Sequence, residues 1–153
     1  MPGFAFTVRE ADWHSDAESL RAIRHQVFVV EQGVPAELEF DADDDQHRHV
    51  IALDINDCPI GAGRLSAAGK IGRMAVLKAW RRKGVGSTIL EELVRLAAAG
   101  GIEALTLSAQ LPALPFYHRH GFVELGEIYQ EAQIAHQKMQ RRTKKAGLDV
   151  EPG

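Results

Sequence analysis

The chain has 153 residues, 45% of them hydrophobic and 25% charged, which fits one compact domain with its own core and argues against disorder. Its formal net charge of -3 argues against a general nucleic-acid binder, which needs a basic face, and its single cysteine, Cys58, excludes an internal disulfide framework. No apolar run reaches transmembrane length and residues 1–10 lack the regions of a signal peptide, so a cytoplasmic protein with no membrane partner is expected.

Phe4, Phe6 and Val8 alternate with smaller or polar residues and predict a first strand. Asp12 or Ser15 caps the following helix, whose apolar face is Leu20, Ile23, Val27 and Val30, and Gly33 and Pro35 stop it. Acidic residues 37–45 read as a solvated loop; the functional alternative is attraction of a cationic substrate. Strands are expected at 47–55 and 60–66 around an Asn56-Asp57 turn, with Ile51, Leu53 and Ile55 on one face. A fourth strand covers 71–77 after an Ala68-Gly69 turn, and links this short make antiparallel neighbours.

A helix over 84–99 has Val85, Ile89, Leu93 and Leu96 as its buried stripe and ends at Gly100-Gly101. With the short strand 104–108 it completes a βαβ unit, whose two strands must be parallel. Pro112 opens a short helix that ends at Gly121, and 122–129 with 134–139 form a final strand pair. The expected organisation is a single domain over 1–140 and a polar C-terminal tail over 141–153.

The chemistry concentrates in Arg81-Arg82-Lys83-Gly84-Val85-Gly86-Ser87, which follows a strand and opens a helix. Free N–H groups at a helix start favour an anion, and the glycines let backbone approach phosphate oxygens closely. Pyrophosphate binding is implied; the bland alternative is a tight turn with basic caps. A Walker A loop fails because no lysine stands between Gly86 and Ser87, and a Rossmann fingerprint fails because Ile89 occupies its third glycine position.

Arg81-x-x-Gly84-x-Gly86 resembles the Gln/Arg-x-x-Gly-x-Gly/Ala motif of GNAT acetyltransferases, and Met74-Ala75-Val76 resembles the strand before it. Gln110-x-x-Ala113-x-x-Phe116-Tyr117-x-x-x-Gly121-Phe122 is similar to the family's second block, in the right order across the βαβ unit. Arg24-x-x-Val27-Phe28-Val29-Val30-Glu31-Gln32-Gly33-Val34-Pro35, Leu107-Ser108-Ala109-Gln110 and Glu131-x-x-Ile134-x-His136 resemble the ElaA/YjcF branch over about residues 5–140. One departure stands out: the branch shows Glu-Ala-Gly-Ile-Pro-His, and here Gln133 and Ala135 replace the glycine and proline.

The resemblance implies an α/β fold of GNAT type, a mixed and mostly antiparallel twisted sheet with flanking helices and one parallel βαβ unit. It implies acetyl-CoA as cosubstrate, no metal, and transfer of the acetyl group directly to a primary amine of a small molecule. The Met74, Ala75 and Val76 segment would pair with the pantetheine arm, and the amides of Arg82, Lys83, Gly84, Val85, Gly86 and Ser87, with Arg81 beside them, would hold the pyrophosphate. Gln110 would orient the cofactor, and Tyr117 would return a proton to the leaving thiolate. Glu31 is the first candidate for general base or amine anchor, and Glu131 and His136 are further acceptor-site candidates. Two other readings stay open: a protein or peptide acceptor, and a non-catalytic acyl-CoA sensor. Exposed strand edges also leave a homodimer open.

Each of these residues has a plainer reading. Tyr117 alone would be a core ring beside Phe116, Glu31 a solvated helix-end carboxylate, and Glu131 and His136 polar residues on an edge strand. His47 and His49 share a strand face, but no further cluster with zinc spacing accompanies them. His118 and His120 diverge on a short helix and read as a solvated face. Cys58 lacks a supporting base, and Trp80 reads as a packing anchor before the turn.

Overall fold

The computed structural model describes residues 4–144. In chain order it contains β1 (Phe6–Ala11), α1 (Trp13–Arg24), α2 (Ala36–Glu39), β2 (Arg48–Asp54), β3 (Pro59–Leu65), β4 (Lys70–Val76), α3 (Val85–Ala99), β5 (Ala104–Gln110), α4 (Leu114–Arg119), β6 (Val123–Glu124), β7 (Tyr129–Glu131) and β8 (Ile134–Arg142). The sheet order is β1-β2-β3-β4-β5-β8-β6, with β7 also on β8, and every pairing is antiparallel except β4 with β5.

Period-two alternation splits the core between the two faces of the sheet. Val50 and Ala52 of β2 point into one cluster with Ile89, Leu90 and Leu93 of α3, and Ile51 points into the other with Leu20, Ile23 and Val27. Burying each such side chain contributes about 1.5–3 kcal/mol. On the α3 face, β3 presents Gly63, where a Cβ would lie 2.8 Å from both Ile89 and Leu93 side chains. A bare backbone there lets α3 sit directly on the sheet, which fixes where its N-terminus points.

The first helix starts as expected, with Asp12 accepting from the His14 N–H at 3.2 Å. It continues past Arg24 as a π-helix over His25–Glu31, in which Gln32 N–H reaches back to Val27 O at 3.1 Å. Each π turn carries an extra residue, so the apolar register slips. Val27 stays buried while Val30, expected on the same face, is 59% exposed.

Other expectations are corrected. Residues 37–45 are a solvated loop only in part: Glu37, Asp43 and Asp45 are exposed, but the stretch includes most of α2 and enters a 3-10 turn over Asp44–Gln46, and Glu39, Asp41 and Asp44 join an ion network described below. The strand expected over 122–129 is two short pieces, β6 and β7, broken around Gly126 at φ +79°. Ile55 lies beyond the end of β2 and is exposed. Strand β8 runs to Arg142, where Arg141 and Arg142 still pair with Leu105 and Ala104, so the expected tail begins later; residues 145–153 lie outside the described residues. The β7–β8 link closes through Ala132 and Gln133 at φ +52° and +64°, a tight hairpin turn made without the branch's glycine.

Candidate active site

Strands β4 and β5 pair only at Lys70↔Thr106 and Ile71↔Leu107. Beyond that they part, because β5 stays with β8 to Gln110↔His136 while β4 stays with β3 to Val76↔Gly61. A bulge helps the separation: the β3–β4 register shifts between Ala62 and Arg64, and Arg73 opposite takes φ +50°. The result is a wedge in the sheet whose β4 edge, Met74–Val76, lacks a strand partner on the β5 side.

One end of the wedge opens into a groove of about 470 Å³ lined by Met74, Ala75, Val76, Gly84, Gly86 and Ser87, among others. The turn is shaped by Arg82 at φ +64° and Gly84 at φ +87°, the left-handed region where glycine costs least. Gly84 is the N-cap of α3 and offers no side chain to the helix, so the first N–H groups of a 15-residue helix are left for a ligand. Gly86 also sits in ordinary contact range, since a Cβ there would lie 3.5 Å from Phe116.

The cations of this turn divide their work. Arg81 donates Nε to Val76 O at 2.9 Å and places both Nη atoms on Glu31 at 2.6 Å. It therefore clamps the end of the π-helix to the end of β4. Lys83 lies over the Phe4 ring at 4.2 Å, and Val85 is buried in the core. Arg82 lines the groove, together with Arg119 of α4, which sequence reasoning missed. His120 is not a solvated residue either: its Nε2 is 3.0 Å from Ser87 Oγ, and its ring contacts Phe116.

The other end of the wedge opens into a cavity of about 540 Å³, whose wall includes Gln110, Tyr117, Glu131 and His136. Gln110 faces this cavity, where its Nε2 donates to Gln32 Oε1 at 2.9 Å and ties β5 to the end of the π-helix. Glu31 does not line the cavity. The hydrogen bond from Arg81 holds the Glu31 carboxyl below the usual carboxylate range, which makes it a weaker base than expected.

Tyr117 lines both the cavity and the groove and is 8% exposed. Burial pushes its hydroxyl up to about 12, so it keeps its proton across the working range. Its hydroxyl makes no hydrogen bond to a described residue and is not sealed from solvent, so it is available to a ligand. His136 has Nδ1 at 2.7 Å from Ile134 O. A carbonyl only accepts, so Nδ1 carries the hydrogen and Nε2 of the neutral ring is the basic atom. Tyr129 stacks on that ring and donates its hydroxyl to Ser108 Oγ.

Beneath the cavity lies an ion network. Arg24, 1% exposed, donates Nε to Glu39 at 2.6 Å and both Nη atoms to Asp44 at 3.1 and 2.9 Å. Arg64 Nη1 bridges Asp41 at 2.9 Å and Asp44 at 2.8 Å. Burial alone would raise the Asp44 carboxyl, but the hydrogen bonds from Arg24 and Arg64 outweigh it and hold it low. His49 lies against the same network through Asp44 O at 2.8 Å and stacks on Trp13.

A family model described as an acetyltransferase (GNAT) domain matches residues 11–143. The chain belongs to the GNAT acetyltransferase family. Among its relatives is the uncharacterized N-acetyltransferase YjcF of Bacillus subtilis (strain 168), 41% identical over 78% of this chain and 87% of that one. Escherichia coli ElaA in crystal form superposes with a TM-score of 0.79 at 28% identity, over 88% of this chain and 99% of that one. An acyl-CoA N-acyltransferase from Pseudomonas aeruginosa superposes at 0.78 and 27% identity, over 90% and 99%. The chain is therefore an acyltransferase of the ElaA/YjcF-like branch with the GNAT fold, and the wedge is where that fold exposes β4. Among the described residues no helix is long and apolar enough to cross a membrane, and no group of His, Cys, Asp and Glu is placed to hold a metal.

Proposed function

We propose that this GNAT protein is a cytoplasmic N-acetyltransferase that moves an acetyl group from acetyl-CoA directly to the primary amine of a small molecule. The observation that carries the proposal is that groove and cavity meet at Tyr117. The groove fits a CoA ester: an uncapped helix start for the pyrophosphate, Arg82 and Arg119 beside it, and a strand edge free along Met74–Val76. When bound there, acetyl-CoA supplies the thioester carbonyl that the amine attacks.

This chain's residues then have separate tasks. The amides from Arg82 to Ser87 hold phosphate, and the β4 edge aligns the pantetheine arm as an added strand would. Arg81 and Glu31 hold the turn against the π-helix, so we assign Glu31 to positioning and the base to another group. An acceptor alkylamine is mostly protonated at neutral pH, with a pKa of about 10. His136, through Nε2, takes that proton, directly or through water. Tyr117 directs its O–H at the leaving sulfur.

Acetyl-CoA turnover on an amine panel, followed as free thiol and as N-acetyl product, tests this reading. His136→Gln keeps a polar side chain on β8 and removes the basic nitrogen, and kcat is expected to fall about 10²-fold or more. A kcat unchanged in that variant would remove His136 from the mechanism, and product on peptides with none on small amines would move the acceptor to protein.

A further inference from the structure

The cavity holds a guanidinium whose hydrogen-bonding capacity is not used up. Arg73 sits in the β4 bulge at φ +50°, and the bulge aims its side chain at the cavity wall. Its Nη2 donates to Glu39 O at 3.1 Å, its Nε is buried without a hydrogen bond to a described residue, and its Nη1, which is not sealed off in that way, makes none either. The nearest carboxylate oxygen, Glu39 Oε2, is 3.4 Å from that Nε and already accepts from Arg24 at 2.6 Å. Arg64, also in the cavity wall, gives its carboxylate contacts through Nη1 alone. Burial, and then the charges of Arg64 and Arg24, push the Arg73 guanidinium down against the opposing pull of Glu39 and Asp41.

The remaining wall is mixed. Phe28, Val34, Leu38 and Leu107 give it apolar surface, and Glu131 adds a carboxylate from a different element, β7. A simple alkylamine would use the apolar wall and Glu131 and leave the Nη1 of Arg73 unused.

Resting on the acetyl-transfer reading above, we propose that the acceptor carries an oxyanion beside its amine, and that Arg73, with Arg64 behind it, binds this group; an apolar α-amino acid is the class that fits. The carboxylate takes the open Nη1 of Arg73, the side chain lies on Phe28, Val34 and Leu38, and the amine is left towards His136 and Glu131. A phosphate would satisfy the same donors, so the two oxyanions are distinguished by experiment.

The experiment compares matched acceptors: phenylalanine against phenethylamine, and O-phosphoethanolamine against ethanolamine. A hydrogen-bonded charge pair predicts a kcat/KM preference of about 10- to 100-fold for the anionic member. Preference within the first pair assigns a carboxylate and within the second a phosphate. In Arg73→Gln the ratio is expected to fall towards one, whereas a merely structural loss would lower both members and keep the ratio. Equal rates within both pairs, or a ratio untouched by Arg73→Gln, overturn the proposal. A second readout needs no turnover: the side-chain Nε–H signal of Arg73 in a ¹⁵N-labelled protein, titrated with N-acetylphenylalanine and O-phosphoethanolamine. A saturable shift with either supports the oxyanion site even if acetyl-CoA fails to react, and no shift with either overturns it even if acetyl-CoA binds.

Discussion

Tyr117→Phe lowers kcat about 10- to 100-fold with acetyl-CoA affinity nearly unchanged. The magnitude follows from the hydroxyl's environment. A phenol pushed up to about 12 is a weaker acid than an ordinary thiol, for which Cys at about 8.5 is the side-chain reference. Full proton transfer to sulfur would run uphill, so the O–H stabilises the developing thiolate as a hydrogen-bond donor. Such a bond to a charged group is worth about 1.5–3 kcal/mol. A loss of about 10⁴-fold would instead indicate full proton transfer in the transition state, and an unchanged kcat would take Tyr117 out of the reaction.

The same substitution has a stability signature. The hydroxyl makes no hydrogen bond to a described residue and is not sealed from solvent, so removing it should cost the fold little near neutral pH. The folded-state pKa is raised above the ordinary phenol value of about 10, so the unfolded chain releases this proton first. Stability is therefore flat below about pH 10 and falls between about 10 and 12, by about 1.4 kcal/mol per unit from this one group. Urea unfolding of the two proteins from pH 8 upward should show the steeper alkaline loss in wild type alone.

Asp44→Ala destabilises the fold by about 3–5 kcal/mol, the cost of leaving a buried ion pair half made. Asp44 is 2% exposed and is the anion shared by Arg24 and Arg64, and Arg24 has no route to water at 1% exposure. Because its carboxyl is held low, its contribution is present above the ordinary carboxylate range and is lost as the pH falls through the folded value. Denaturant midpoints at pH 7 and at acid pH check both statements. The double change Arg24→Met with Asp44→Leu should recover part of the loss, since apolar groups in place of a buried pair are often neutral, while Glu39 and Arg64 each lose a partner. A loss under about 1 kcal/mol in Asp44→Ala would mean the network is far better solvated than its burial indicates.

These two residues show what the sequence makes legible. Tyr117 stands in a local block with Phe116, Gly121 and Phe122, and Gly84 and Gly86 mark the turn within a few residues; local patterns of this kind are readable in one dimension. The parallel β4–β5 pair follows from the chain order strand, helix, strand, because a helical link forces it. The network is different. Asp44 meets Arg24 and Arg64 across separations of 20 residues, and Arg81 meets Glu31 across 50. Nothing local in an acidic run says whether its charges face water or buried arginines, which is why residues 37–45 read as a solvated loop. The π-helix was hidden for another reason: its extra residue per turn looks like ordinary helix until Val30 is found facing out. Arg119 reaches the site only through folding, and no spacing marks it; Gln32 stands in the branch-like stretch 24–35, but nothing in that stretch says that it meets Gln110.

The central claim is that the groove at the start of α3 holds a CoA pyrophosphate. Calorimetric titration of acetyl-CoA and CoA into wild type and Gly84→Glu tests it most directly. The variant places an anion, and a side chain at φ +87°, where the phosphate would lie. Saturable binding to wild type, weakened roughly tenfold or more in a folded variant, is the predicted result, equivalent to about 1.4 kcal/mol or more. A folded wild-type protein that binds neither ligand, or a variant that binds both as well as wild type does, would contradict the account.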